Sequence, residues 1–256
     1  MRCIYWNLRG IANSPTKLSL KRLLNIYKPE FCFIAEPWMS LSNFPNKWFT
    51  RRNLKVFAVN ARPNMLPSLW CICSTEIDPE IICIDDQHLS FTLKENGKSF
   101  GMFVVYASTD YVKRRTLWQS LTNVHNSLNL PWSCIGDFNI ILGTHEYRGA
   151  HSPAKLLMED FTNWTDNNIL LHLPTIGCPF TWSNGKEGVH HTEKMLDRVI
   201  CNHNWIDLCS NISCSTLTRF KSDHFPILFD FQWTPSGMLL TLNFQICGHT
   251  TMTAPI

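Results

Sequence analysis

Runs of apolar residues divide the first part of the chain into two strands and one helix. The segment "CIYWN" at 3–7 predicts a buried strand, and "FCFIA" at 31–35 predicts a second one. Ser14 is the expected cap of the intervening helix, and Pro15 occupies its first position. Apolar residues then recur at helical spacing: Leu20, Leu23, Leu24 and Tyr27.

Residues 54–107 carry a succession of short apolar runs separated by polar turns. Such a pattern is typical of antiparallel strands joined by hairpins, and Asn96-Gly97 is a hairpin-turn dipeptide. The predicted strands are "LKVFAVN", "SLWCIC", "IICI", "LSFTL" and "SFGMFVVYA".

The remaining pattern mixes helices and strands. A helix is predicted from Val112 to Leu128 and another through "AKLLMEDFTNW", with strands at "WSCIGDFN", "FTWSN", "MLDRVICN" and "HFPILFDF". Groups of strands separated by helices predict an α/β fold, a four-layer sandwich of two packed, mostly antiparallel sheets with helices outside. Residues 1–233 form the predicted domain, and 234–256, where no periodicity remains, form an irregular C-terminal tail.

Composition narrows the class of protein. With 256 residues and 45% hydrophobic content, the chain can bury a sizeable core in one large or two small domains. A net charge of +3 is too small to indicate nucleic-acid binding, so any polyanion site must be local. The eleven cysteines are expected to be reduced and mostly buried, Trp6 and Trp132 are expected in the core, and no apolar stretch approaches the ~20 residues that cross a bilayer.

Polar residues at the ends of predicted strands supply the candidate chemistry. In "IGDFNII", Asp137 interrupts a run suited to a buried strand, and a buried carboxylate requires a compensating partner. Because ligand sites gather where loops leave sheets, these residues are expected to line one cleft. Oxygen donors favour Mg²⁺ or Mn²⁺, and a histidine beside aspartates suits phosphate-ester hydrolysis. The set comprises Asn7, Glu36, Asp137, Asn139, Asp197, Asp223 and His224.

An ordered series of motifs resembles the endonuclease/exonuclease/phosphatase superfamily, which has the DNase I-like fold. The motifs are "WNLRG", "FIAEPW", "VVYAS", "IGDFN", "FTWSNG", "LDRVICN" and "KSDHFPI". The spacing of "GDFN", "FTWSN", "LDR" and "SDH" is most similar to the endonuclease domain of plant LINE-type non-LTR retrotransposons. This resemblance covers roughly residues 2–232.

The resemblance implies a role for each matching polar residue. Glu36 is implied to bind the metal, with Asn7 nearby and Asp223 completing the site. Asp137 is implied to orient or deprotonate the attacking water, and Asn139 to hold water or phosphate. Taken alone, Asp137 also suits an Asx turn closed by its own side chain.

Further implied roles concern the phosphate and the substrate. His224 would contact the phosphate, Asp197 would fix the tautomer of His224, and Tyr106 matches a tyrosine near the scissile phosphate. Tyr106 lacks the proline that commonly follows it in relatives, and Asp197 alone also suits a surface ion pair with Arg198. Side chains expected to contact DNA are Arg115, Trp182, for which core packing is the alternative, and Lys221.

The implied function is a Mg²⁺- or Mn²⁺-dependent endonuclease that nicks one DNA strand and leaves a 3′-hydroxyl and a 5′-phosphate. We expect a monomer that acts on DNA in the nucleus and does not associate with membranes. Two alternatives stay open. One is another activity of the superfamily, namely an abasic-site nuclease, a deadenylase or a phosphoinositide phosphatase, and the other is a retroelement relic that folds without catalysing.

Overall fold

Two large sheets pack face to face in the computed structural model, which describes residues 1–45, 47–60, 62–95 and 97–234. The first sheet has seven strands in the order β11-β15-β16-β1-β2-β4-β3. Its strands are β1 (Arg2–Asn7), β2 (Phe31–Ala35), β3 (Leu54–Val59), β4 (Leu69–Ser74), β11 (Thr175–Ile176), β15 (Cys209–Thr216) and β16 (Ile227–Trp233).

The second sheet has six strands in the order β10-β14-β8-β7-β6-β5, and a small three-stranded sheet has the order β12-β13-β9. The six strands are β5 (Glu80–Ile84), β6 (His88–Glu95), β7 (Lys98–Tyr106), β8 (Trp132–Asp137), β10 (Leu171–His172) and β14 (Asp197–Cys201). The short strands of the small sheet are β9 (Tyr147–Arg148), β12 (Trp182–Ser183) and β13 (Glu193–Lys194).

The α-helices of the described ranges are α1 (Ser14–Tyr27), α2 (Lys47–Thr50), α3 (Tyr111–Ser127), α4 (Lys155–Asn167) and α5 (His203–Leu208). The first four cover the outer faces of the two large sheets, whereas Trp205 and Ile206 of α5 join the core between the sheets. Apolar residues of α1 pack on the first sheet, and those of α3 and α4 pack on the second. The predicted α/β sandwich is therefore confirmed, although both sheets are mixed, because β1 pairs with β2 and β7 with β8 in parallel.

Strict alternation along the strands builds the layers. In β1, Cys3 and Tyr5 point into the core between the sheets, whereas Ile4 and Trp6 point under α1. This two-residue period explains why "CIYWN" is apolar throughout, since each face of the strand contacts another layer. Trp6 and Trp132 are buried, as predicted.

An aromatic cluster joins the two sheets at the centre of the core. Phe91 of β6 lies 5.6 Å from Phe31 and 6.2 Å from Phe33, measured between ring centroids. Phe57 of β3 packs edge-on against Phe91 at 5.0 Å. Rings from both sheets therefore interlock across the interface, which fixes how one sheet sits on the other.

Several sequence-based boundaries differ from the structure. The cap of α1 is Asn13, whose side chain accepts the N–H of Thr16 at 2.7 Å, so the Ser14 prediction is wrong. Strand β15 was not predicted because its sequence "CSNISCST" is polar, and it is held by pairing with β16 and β11. Of the predicted hairpin dipeptide, Gly97 has a left-handed φ of 75°, and Asn96 lies outside the described residues.

The tail predicted from residue 234 lies outside the described residues, except for Thr234 itself. The ten cysteines of the described ranges are all free, and most are buried. Burial raises the pKa of thiols such as Cys32, to about 12, which keeps them protonated and unreactive. Among the described helices, none is long and apolar enough to cross a membrane.

Replacing Phe91 with alanine should weaken the packing between the sheets. The Phe91→Ala substitution leaves a cavity among the surrounding phenylalanines, and we expect a loss of about 3–5 kcal/mol in unfolding free energy. Urea denaturation followed by circular dichroism measures this loss. The control Leu156→Ala alters an exposed position of α4 and should change stability by less than about 0.5 kcal/mol. Equal effects of the two substitutions would contradict the proposed packing role.

Candidate active site

Parallel strand pairing brings the predicted polar residues to one edge of the sandwich. Asn7 is the last residue of β1 and pairs with Ala35, so Glu36 follows immediately beside it. In the second sheet, Tyr106 and Asp137 end neighbouring parallel strands in register. Asp197 begins β14 directly opposite Asp137. The ends of β1, β2, β7 and β8 and the start of β14 therefore supply side chains to a single place.

The backbone near this edge adopts uncommon conformations. Four non-glycine residues here have positive φ: Arg9 at 49°, Glu36 at 48°, Trp38 at 51° and Asn139 at 50°. Such left-handed conformations cost free energy for residues that carry a Cβ, and they cluster at functional sites. The strands thus end in sharp turns that direct side chains toward the shared edge.

Glu36 is the centre of the more accessible part of the site. Its Oε1 atom accepts hydrogen bonds from Asn7 Nδ2 at 2.9 Å and from the Tyr106 hydroxyl at 2.8 Å. Burial and the Glu36 charge raise the pKa of Tyr106, so its hydroxyl stays protonated and donates. The chain thus brings Tyr106 to the predicted site without a following proline.

Asp137 is 1% exposed and uses its two carboxylate oxygens differently. Oδ1 accepts the N–H of Asn139 at 2.9 Å, which forms the Asx turn considered above. Oδ2 accepts Asn7 Nδ2 at 3.2 Å and lies 3.7 Å from His224 Nε2. The turn and the site therefore coexist, because one oxygen shapes the backbone and the other faces the cluster.

Gly136 explains how Asp137 reaches this position. A Cβ on Gly136 would lie 2.1 Å from the carbonyl oxygen of Val105, so only glycine permits the close approach of β8 to β7.

His224 lies between two buried carboxylates. Its Nδ1 is 2.8 Å from Asp197 Oδ2, and its Nε2 faces Asp137. Two hydroxyls hold this arrangement. Thr181 Oγ1 accepts the N–H of Asp197 at 2.9 Å, and Ser222 Oγ accepts the N–H of His224 at 3.1 Å. Asp197 thus contacts His224, and the surface ion pair considered for it is absent because Arg198 pairs with Glu146 at 2.7 Å.

The electrostatics of this buried group depend on charge compensation. Burial, followed by the charge of Asp197, raises the pKa of Asp137 to about 7, although His224 opposes the rise. Burial alone would lower the pKa of His224, but Asp197 and Asp137 outweigh it and raise that pKa to about 9. Near neutral pH, His224 is therefore a cation beside a carboxyl group poised to exchange a proton.

Asp223 lies at the rim of the site. Its Oδ2 accepts the indole N–H of Trp182 at 2.9 Å and a guanidinium N–H of Arg9 at 3.1 Å. Arg9 also lies 3.6 Å from Glu36, measured from Nε to Oε2, and so connects the two acids. Trp182 is half-buried and contacts the rim rather than only the core.

Not every predicted residue joins this cluster. Arg115 pairs with Asp160 at 2.8 Å on the outer helices, and Lys221 is exposed next to Ser222. Asn139 donates its side-chain amide to Ala107 O at 2.7 Å and therefore braces the loop after Tyr106. The DNA contacts of Arg115 and Lys221 stay predictions.

Two side chains that support the site were not singled out from the sequence: Thr181 and Ser222. Ser222 lies within "KSDHFPI", and Thr181 lies within "FTWSNG". The signal was therefore present, but a hydroxyl in a loop motif does not by itself indicate which backbone amide it accepts from. Only the tertiary contacts identify these partners.

The donor set fits a hard divalent cation. Asn7 Oδ1, Asp197 Oδ1 and Asp223 Oδ1 are buried and have no hydrogen-bond partner among the described residues. Donor atoms of Asp137, Asp197 and His224 lie within 4.8 Å of one another and could hold a metal ion. Because His224 already compensates both aspartates, we favour Glu36 and Asn7 at the accessible side, where oxygen donors predominate.

A second group of potential metal ligands has a structural explanation. Cys83, Asp85 and His88 lie close together at the turn between β5 and β6. Asp85 Oδ2 accepts the Ser120 hydroxyl at 2.8 Å and pairs with His88 Nε2 at 2.8 Å. This network ties the hairpin to α3.

Comparison with solved structures supports the architecture. The endonuclease domain of TRAS1, a telomere-specific non-LTR retrotransposon, has a TM-score of 0.68 at 14% identity, over 91% of this chain and 98% of that chain. The 3′-5′ exonuclease NExo from Neisseria meningitidis has a TM-score of 0.70 at 15% identity, over 91% and 100%. An AP endonuclease from Archaeoglobus fulgidus has a TM-score of 0.66 at 13% identity, over 90% and 99%.

The chain has the DNase I-like fold. These structural neighbours are nucleases and phosphodiesterases of that fold, and one is a retrotransposon endonuclease domain. No protein-family model and no curated protein matches the sequence. At such low identities the likeness establishes architecture, whereas the reaction must be inferred from the side chains of the site.

The buried charges predict a definite dependence of stability on pH. Both pKa values lie above the ordinary values of 3.8 for Asp137 and 6.5 for His224, so the folded chain binds more protons than the unfolded chain. Through these two groups the unfolding free energy therefore falls as pH rises. The contribution of Asp137 is complete below 3.8 and lost through about 7, and that of His224 is complete below 6.5 and lost through about 9.

Urea denaturation of the metal-free protein at about pH 6 to about pH 9 tests this dependence. We expect the decline above about pH 7 to become shallower in His224→Gln and to persist in the control His203→Gln, which alters an exposed histidine of α5. An identical slope in wild type and His224→Gln would refute the assignment of the titration to this group.

Proposed function

We propose that the chain is a divalent-metal-dependent phosphodiesterase, and specifically a retrotransposon-type DNA endonuclease related to the plant LINE elements. It cuts one strand and leaves a 3′-hydroxyl and a 5′-phosphate. The observation that carries this proposal is the position of His224 between Asp197, at 2.8 Å, and Asp137, at 3.7 Å, beside Glu36 and Asn7 at one sheet edge. Such an arrangement combines a base, a cation and oxygen ligands within one site.

Asp137 is the proposed general base. A pKa of about 7 allows this carboxylate to accept a proton from water near neutral pH, which is the optimum for base catalysis. Asn7 and the Asn139 backbone amide fix the orientation of the carboxylate. Attack by the resulting hydroxide forms a new P–O bond, and the bond from phosphorus to the 3′-oxygen breaks, so the 3′-oxygen leaves and takes up a proton.

His224 is the proposed electrostatic stabiliser. Its pKa of about 9 keeps the imidazole cationic at neutral pH, where it can donate a hydrogen bond to a phosphoryl oxygen whose negative charge increases. Asp197 accepts from Nδ1 and holds the ring in place. The Tyr106 hydroxyl positions Glu36 and lies near the proposed phosphate position.

Glu36, Asn7 and Asp223 are the proposed residues that hold the cation, which is Mg²⁺ or Mn²⁺. When bound, the cation would neutralise charge on the phosphoryl oxygens and help the oxygen leave. Glu36 supplies a carboxylate that is mostly shielded from solvent, and Asn7 Oδ1 is free of other hydrogen bonds among the described residues.

DNA is the proposed substrate. Among the structural neighbours, NExo is recorded bound to a product DNA hairpin, and TRAS1 is a telomere-specific element. Arg115, Trp182 and Lys221 are the proposed contacts with the nucleic acid, of which Trp182 lies nearest the carboxylates. We further propose that the protein is a monomer that acts in the nucleus.

Replacing the proposed general base, Asp137, or the cationic His224 should greatly slow hydrolysis. In a nicking assay on supercoiled plasmid with Mg²⁺ or Mn²⁺, we expect Asp137→Ala and His224→Ala each to lose at least about 100-fold in rate. Matched controls are Asp78→Ala, an acid whose side chain is 98% exposed, and His203→Ala on α5. Both controls should retain wild-type activity.

Two results would change the assignment. A wild-type protein that is inactive with both cations would indicate a relic that folds without catalysing. A preference for abasic duplex, poly(A) or inositol phosphates over supercoiled plasmid would indicate another activity of the same fold, because loops around a shared site select the substrate.

Removing the Glu36 charge should weaken cation binding. Glu36→Gln keeps the shape of the side chain but replaces an anionic oxygen donor, so we expect at least about 10-fold weaker Mn²⁺ binding. Isothermal titration calorimetry measures the affinity directly and does not depend on catalysis. The control Glu76→Gln lies at an exposed turn and should bind Mn²⁺ as the wild type does. Unchanged affinity in Glu36→Gln would place the ion elsewhere.

A further inference from the structure

Trp38 is an exposed tryptophan at the rim of the candidate active site. It follows Glu36 by two residues, is 57% exposed and has a φ of 51°. Among the described residues, Trp38 joins none of the apolar clusters, whereas the neighbouring Met39 packs against the core beneath α1. Both the left-handed backbone conformation and the exposure of a large apolar ring cost free energy, and such strained residues cluster at ligand sites.

The indole ring is held in place rather than left free. A Cβ on Gly10 would come within 3.0 Å of Trp38 Cε3, so the ring lies directly over this glycine. Two backbone hydrogen bonds join the loops, from Gly10 to Glu36 O at 2.9 Å and from Ile11 to Pro37 O at 3.0 Å. The two loops therefore form one connected support for the ring.

Arg9 adds positive charge to this support. Its guanidinium carbon lies 5.6 Å from the centroid of the Trp38 ring, within the range of a cation–π contact. The same guanidinium contacts Asp223 and approaches Glu36. Arg9 therefore connects Trp38 to Glu36 and Asp223, the carboxylates that we propose to hold the metal ion.

A second aromatic residue lies on the other side of Asp223. Trp182 donates to Asp223 Oδ2, and Lys194 Nζ lies 5.5 Å from the centroid of the Trp182 ring. At the rim of the site, each of two tryptophans therefore has a basic side chain beside it: Arg9 beside Trp38, and Lys194 beside Trp182. Aromatic faces combined with basic side chains are the features that bind single-stranded nucleic acid, because every base offers a flat face and every phosphate a charge.

We propose that Trp38, supported by Arg9 and Gly10, is a stacking platform for a nucleobase next to the phosphodiester that is cut. This inference rests on the proposed function. It adds a contact with a nucleobase, whereas the basic side chains of Arg115 and Lys221 are suited to the phosphates of the DNA. The base that stacks on Trp38 must be unpaired or turned out of the duplex, since bases within a helix have both faces covered. The substrate is thereby expected to be held by its base as well as by its phosphate.

Binding measurements test the platform without requiring turnover. We expect Trp38→Ala to bind a fluorescein-labelled single-stranded oligonucleotide about 10-fold more weakly than wild type in fluorescence anisotropy, on the scale of losing one stacked base. Trp38→Phe should recover most of the affinity. The control Ile169→Ala alters another exposed apolar residue with positive φ, 69% exposed and located next to α4, and should leave the affinity unchanged.

Hydrolysis of a diester without bases separates stacking from damage to the site. With bis(p-nitrophenyl) phosphate, Trp38→Ala should keep the wild-type kcat, because the reacting phosphodiester does not contact the indole. The comparison uses kcat and not KM, since the nitrophenyl rings can themselves stack on tryptophan. A matching loss on the diester would overturn the proposal, since the substitution would then act through Arg9 and Glu36. Unchanged affinity for the oligonucleotide would overturn it too.

The two proposals can fail separately. If the wild type binds the oligonucleotide through Trp38 but cuts neither DNA nor the diester, the platform is supported and the nuclease assignment fails. If the wild type cuts DNA and Trp38→Ala binds and cuts equally well, the nuclease assignment stands and the platform is refuted. A wild type that does not bind the oligonucleotide at all refutes the platform.

Discussion

Compensation of buried charge at the His224 imidazole is the interaction on which the site depends. Asp137 and Asp197 are both almost fully buried at facing positions of adjacent strands, and two bare carboxylates there would repel each other strongly. His224 lies between them, 2.8 Å from Asp197 and 3.7 Å from Asp137, and supplies the opposite charge. The same three groups are proposed to transfer the proton and to stabilise the developing charge. One arrangement of side chains therefore serves both the stability of the fold and the proposed chemistry.

Sheet topology makes that arrangement possible. Parallel pairing of β1 with β2 and of β7 with β8 delivers strand ends to the same edge, and the face-to-face packing of the sheets brings the two edges together. Residues from opposite sheets, such as Asn7 and Asp137, then meet at 3.2 Å. The aromatic core between the sheets therefore has a functional consequence, since a shift of one sheet over the other would separate these side chains.

Local strain places the remaining groups. Left-handed conformations at Arg9, Glu36, Trp38 and Asn139 turn the chain sharply as it leaves the strands. At Glu36 the turn directs the carboxylate toward Asn7 and Tyr106, and at Trp38 it leaves the ring at the rim. Rigid sheets thus position the buried acids, while strained loops position the groups at the rim of the site.

The sequence by itself determined the longer apolar strands, the helices α1, α3 and α4, and the identity of the polar residues at the strand ends, because apolar periodicity and interrupted apolar runs are local properties. It also placed Asp137 within "IGDFNII", an apolar run that suits a buried strand. Only the tertiary structure decided that Arg115 faces Asp160, that β15 forms from a polar segment, and that Trp38 rests on Gly10. Those outcomes depend on contacts between segments distant along the chain, and such contacts leave no periodic signal in either segment.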